Sequence, residues 1–154
     1  GVQVISPLEL RAQFPGYSCL SGSPNMTVAN ATGSTTASGP SLPGAPSITG
    51  TAVNELAGNA FDLVIRLANF RPACSHTVTL EPVVVGGKSL AVGGTVTPQI
   101  TNRGTDHITV RLFHPSVIES RILKVVTPYG TATKSVTIGP EPSKLPKTIR
   151  PLAP

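Results

Sequence analysis

Residues 60–70, AFDLVIRLANF, alternate between two characters: Phe61, Leu63, Ile65 and Leu67 fall on one parity, Asp62 and Arg66 on the other. A period of two puts the apolar side chains on one face of a strand and the charges on the opposite face. HITVRLF (107–113) repeats the pattern with Ile108, Val110 and Leu112, and HTVTLEPVVV (76–85) sets Val78 and Leu80 on a common face. GGK and GG bracket SLAV (89–92) as a short strand between tight turns, and TVTPQI (95–100) precedes a turn, TNRGTD. SRILKVV, the turn TPYG and TATKSVTI (120–138) read as a closing hairpin. No segment carries an apolar stripe of helical period. About seven strands punctuated by turns predict an antiparallel β-sandwich over residues 48–139.

Composition agrees with that reading. In 154 residues there is no Trp, aromatics are 4%, and Gly (15) and Pro (16) are abundant, so the core must be built from Val, Ile and Leu. Charged residues are 12%, about half the usual quarter. The net charge is +5, but the cations are scattered singly, except Lys144, Lys147 and Arg150 near the end. A nucleic-acid binder gathers its cations on a stripe or patch, so no nucleic-acid partner is expected. No apolar run approaches the roughly 18–20 residues that span a bilayer, so no membrane span is expected either. The sequence begins at Gly1, and its low charge with much Ser, Thr, Gly and Pro leads us to expect a processed, secreted protein.

Outside residues 48–139 the chain changes character. Residues 1–14, GVQVISPLELRAQF, form a β arm, read as one strand or two short ones hinged at Pro7, which has no N–H for a central ladder. Val2, Val4, Leu8, Leu10 and Phe14 share one parity and are its candidate anchors. Burying all five would contribute roughly 8–15 kcal/mol as an upper bound. The arm is either the first strand of its own sandwich or a strand donated to a neighbouring subunit. Residues 15–47 hold few large apolar groups and read as a linker or long loop, with a short strand near MTVANAT. Residues 140–154, GPEPSKLPKTIRPLAP from Gly139 onward, are too rich in proline for a helix and read as an extended arm.

Cys19 and Cys74 are the only cysteines. In an oxidising compartment they can form one disulfide tying the N-terminal arm to the main domain, worth roughly 4 kcal/mol by chain entropy; the alternative is two buried free thiols. Asn25 (NMT) and Asn30 (NAT) stand in N-glycosylation sequons, and O-linked sugars on the neighbouring Ser and Thr residues are an equal option.

Catalytic chemistry has no foothold in the sequence. His76, His107 and His114 offer no short-spaced ligand pair, the carboxylates stand singly, and Gly-x-Ser-x-Gly is absent. Gly86-Gly87-Lys88-Ser89 lacks the earlier glycine of a phosphate loop and reads as a turn between strands. We expect no enzyme, no cofactor and no metal.

The stretches PSITG, AGNAFDLVIRLANF and HTVTL, followed by ITVRLFHPSVIESRILKVVTPYGTATKSVTI, resemble the TIG/IPT group of immunoglobulin-like domains over about residues 46–139. The match is close at Val125, Val126, Thr127, Pro128, Gly130, Thr131, Ala132 and Thr133; Leu67-Ala68-Asn69 stands where a glycine is expected. The resemblance implies an immunoglobulin-like sandwich used as a spacer, adhesion module or binding domain. The arms have no counterpart in it. Together these readings predict an extracellular structural protein, a subunit of a filament, coat or surface layer whose arms bind copies of itself or neighbouring surface proteins. The alternatives are a monomeric adhesion or carbohydrate- or protein-binding module, with Tyr17 and Tyr129 too few for sugar stacking, and a viral coat or decoration protein.

Overall fold

β-branched and leucine side chains at alternate positions fit a pleated, half-buried surface, and the chain follows that pattern almost throughout. The computed structural model describes residues 2–6, 9–12, 19–23, 25–39, 41–42 and 44–142, with backbone alone for Val2, Leu10 and Ala12. The strands are β1 (Val2–Ser6), β2 (Glu9–Ala12), β3 (Asn25–Asn30), β4 (Gly33–Ser38), β5 (Ser47–Glu55), β6 (Ala60–Ala68) and β7 (Thr77–Pro82). They continue with β8 (Val84–Val85), β9 (Lys88–Ser89), β10 (Gln99–Arg103), β11 (His107–Phe113), β12 (Glu119–Thr127) and β13 (Gly130–Ile138). Among the described residues there is no α-helix.

Seven strands make two antiparallel sheets, ordered β10-β11-β6-β5 and β13-β12-β7. Register explains how they close on one core. In the first sheet β11 meets β6 with Ile108 opposite Ile65, Val110 opposite Leu63 and Leu112 opposite Phe61. In the second, β12 sets Leu123 against Leu80 and Val125 against both Val78 and Ala132. Directly opposed residues share a face, so each sheet presents a wall of large apolar groups. The two walls form a single buried cluster, as in a β-sandwich. Ile65, Leu80, Ile108, Val110, Leu123 and Val125 have no exposed surface at all. Asp62 and Arg111, opposed on the outer face, make a two-point ion pair at 2.9 and 3.0 Å.

Three segments are resolved more finely than the sequence reading left them. Of the two options for the N-terminal arm the structure has two short strands, and among the described residues they join neither sheet: β1 and β2 pair with each other, Val2 opposite Ala12 and Val4 opposite Leu10. A proline in the middle of the segment interrupts any ladder, and the chain reverses between Ser6 and Glu9. In the expected linker, β3 and β4 form a second isolated hairpin over all six residues of each strand. Thr-rich strands suit it, with Thr27 and Thr36 hydroxyls 2.8 Å apart across the ribbon. SLAV is strand only at Ser89, and the TVTPQI strand begins at Gln99 and runs on to Arg103, narrowing the expected turn to residues 104–106. Within residues 90–96 the ends are held by backbone hydrogen bonds, Leu90 to Val83 and Ser120 and Val96 to Leu80, and side chains hold the backbone of Val92 and Gly94 between them. Of the C-terminal arm, 143–154 lie outside the described residues.

Candidate functional site

The N-terminal arm is fastened at one end of the core. Cys19 and Cys74 are joined by a disulfide with Cα atoms 5.6 Å apart, so the free-thiol alternative falls. Beside it Arg71 lies with its guanidinium 4.1 Å from the Tyr129 ring centroid, donates its backbone N–H to Tyr129 Oη (3.0 Å) and reaches the Leu20 carbonyl through Nη1 (2.8 Å). Asn69 Nδ2 donates to the Ala45 carbonyl at 3.2 Å. Ala45 in turn crosses the β12–β13 turn so closely that a Cβ on Gly130 would stand 2.5 Å from its own. The strap before β5 is therefore locked under the turn. His76, buried beside this anchor, stacks its ring on Phe70 with centroids 4.6 Å apart. Burial first, then the charge of Arg103, holds its pKa below the ordinary 6.5.

Beyond the disulfide the arm projects two ribbons. Register places Val2, Val4, Leu10 and Ala12 on one face of the β1–β2 ribbon. Val4 is 70% exposed and Ile5 44%. Among the described residues neither strand pairs with any other, so both outer edges are open. Of the five candidate anchors, Val4 is an uncovered apolar side chain and Val2 and Leu10 are on its face by register. Leu8 and Phe14 lie outside the described residues. The β3–β4 ribbon is exposed on both faces, with only Met26 partly covered and Val28 46% exposed on the same face. Asn25 opens β3 opposite Ser38, and Asn30 closes it opposite Gly33.

Two polar constellations were missed in the sequence. Glu119 and Arg121 are buried together: Arg121 Nε donates to Glu119 Oε2 at 2.8 Å, Nη1 to the Gly94 carbonyl at 2.9 Å and Nη2 to the Val92 carbonyl at 2.8 Å. Glu119 Oε1 accepts from the Val92 N–H at 3.0 Å. The signal was in the parity, since 119 and 121 share the inward face with Leu123 and Val125. At the opposite end from the disulfide, His114 bridges three strand ends. Its Nδ1 lies 2.8 Å from the Gly139 carbonyl and its Nε2 2.7 Å from Glu55, with Phe61 against its ring. Burial opposes the charge on His114, but the Gly139 and Glu55 hydrogen bonds and the charges of Glu55 and Glu141 outweigh it and raise the pKa above 6.5.

Next to this clasp an apolar groove of about 510 Å³ is lined by Val96, Pro98, Leu112, Phe113 and Ile138, with Phe113 69% exposed. Gly86 and Gly87 form the turn between β8 and β9, at φ 57° and 78°. Among the described residues no three or more of His, Cys, Asp and Glu stand where they could hold a metal ion, and no helix is long and apolar enough to cross a membrane. Compared with family models, curated proteins and solved structures, the chain gives no match.

Proposed function

We propose that this chain is an extracellular structural protein: an immunoglobulin-like sandwich whose arms join it to further copies in a filament, coat or surface layer. The observation that carries the reading is the β1–β2 ribbon. An isolated two-stranded hairpin is marginal in water, and this one carries Val4 uncovered on its apolar face and two edges unpaired among the described residues. A second molecule that adds a strand to an edge, or lays its own apolar surface on the face, supplies what the ribbon lacks. The donated element is a hairpin edge, not a single strand. The disulfide that fixes the arm suits an oxidising, extracytoplasmic setting.

The immunoglobulin-like assignment is supported by strand order. Taking the seven sheet strands as A to G in sequence, the sheets read A-B-E-D and C-F-G, the constant-type arrangement. Within Leu67-Ala68-Asn69, the stretch that stands where the TIG/IPT pattern has a glycine, Asn69 has φ 56°, a left-handed conformation that asparagine tolerates nearly as glycine does. The competing reading, a monomeric binding module, rests on the groove beside Phe113. Deleting residues 1–14 separates the two: pelleting assemblies of the full chain that vanish in the truncated one support assembly through the arm. Assemblies that persist after the deletion contradict it.

A further inference from the structure

We propose that Asn30, at the tip of the β3–β4 ribbon, is an N-linked glycan acceptor, and that Asn25, in the same ribbon, is passed over. Both asparagines are exposed and both begin Asn-x-Thr triplets. What differs is the threonine hydroxyl. At the tip, Asn30 Oδ1 accepts from the Thr32 N–H at 2.9 Å and from Thr32 Oγ at 2.8 Å. The triplet is thus already bent so that amide and hydroxyl meet, and among the described residues Asn30 Nδ2 makes no hydrogen bond. In the other triplet the chain is extended, Asn25 is in the ladder opposite Ser38, and Thr27 Oγ is engaged with Thr36 Oγ at 2.8 Å. Bending that triplet into an enzyme site would break ladder bonds in a ribbon of only six residues a side.

The donor class is an oligosaccharide on a polyisoprenyl diphosphate. The bond from its anomeric carbon to the diphosphate oxygen breaks, with the electron pair leaving on the diphosphate. A bond forms from that carbon to Asn30 Nδ2, which gives up one proton to a base, and no redox partner is involved. Thr32, by holding Oδ1 from two sides, keeps the amide nitrogen turned outward for this attack. A sugar there would shield a ribbon whose edges are unpaired among the described residues, and leave β1–β2 as the exposed pairing edge. The inference needs only the secretory compartment, not the assembly reading.

The test is secretion of the full chain from a eukaryotic cell, followed by intact mass and by peptide mapping after amidase release in heavy-oxygen water. The expected result is a mass excess removed by the amidase, with the heavy label at Asn30. Asn30→Gln and Thr32→Ala should lose the sugar, while Thr32→Ser and Thr27→Ala should keep it. An intact Cys19–Cys74 bond in each variant shows that it has folded. A secreted chain of bare mass, a sugar resistant to the amidase, or labelling of Asn25 equal to Asn30 would overturn the proposal.

Discussion

Arg121 serves several neighbours at once. It is the only cation among the core-facing positions of β12, and it ties Glu119 and two loop carbonyls to the sheet. Removing one member of a buried pair leaves the other charged without its counter-ion, so Arg121→Met should cost about 3–5 kcal/mol. Residues 90–96 should then exchange their amides faster than the sheets do; unchanged exchange there would show that the loop holds itself. Gly130 makes a second sharp case. Its φ of 147° and the 2.5 Å approach of Ala45 leave no room for a methyl group, so Gly130→Ala should lower the melting temperature and loosen the strap. The ordinary core positions behave as burial dictates: Phe61→Ala should cost about 3–5 kcal/mol.

At the level of elements, the His114 clasp joins the ends of β5 and β13 to the start of β12's preceding turn. Its raised pKa means that the folded chain holds the proton more tightly than the unfolded one. The stabilisation is therefore complete below the ordinary value of 6.5 and is lost as pH rises through the raised value. His76 acts in the opposite direction: its lowered pKa costs stability as pH falls below 6.5 toward the folded value. Urea midpoints against pH should separate them. His114→Gln should flatten the loss above 6.5, and His76→Phe the loss below it; profiles identical to the unmodified chain would remove these residues from the pH response.

The elements that sequence alone made legible were those with a buried face. Phe61 to Leu67 and Ile108 to Leu112 announced themselves because every second residue had to be apolar. The β3–β4 ribbon was hidden, since a strand exposed on both faces has no alternation to show. The hairpin of β1 and β2 was half legible: the proline marked the break, but nothing local says whether two strands joined by a hinge fold back on one another. Glu119 and Arg121 were overlooked because charges were read as surface, although their parity placed them inside. The His114–Glu55 contact joins residues 59 positions apart, and no local pattern announces a pair that only the closed fold creates.

For the whole molecule, the disulfide and the strap near Ala45 make the arm part of the body, while the ribbon beyond it leaves Val4 uncovered. A protease cut within residues 25–44 should leave the N-terminal fragment attached until the Cys19–Cys74 bond is reduced, which non-reducing and reducing gels compare directly. The central claim is that another molecule covers the face bearing Val4. Sedimentation velocity of the full chain against Val4→Asp at micromolar concentration tests it most directly. The account predicts assemblies for the full chain and a shift toward the 15.8 kDa species for the variant. A full chain that sediments at 15.8 kDa throughout, or assemblies indifferent to the aspartate, would contradict it.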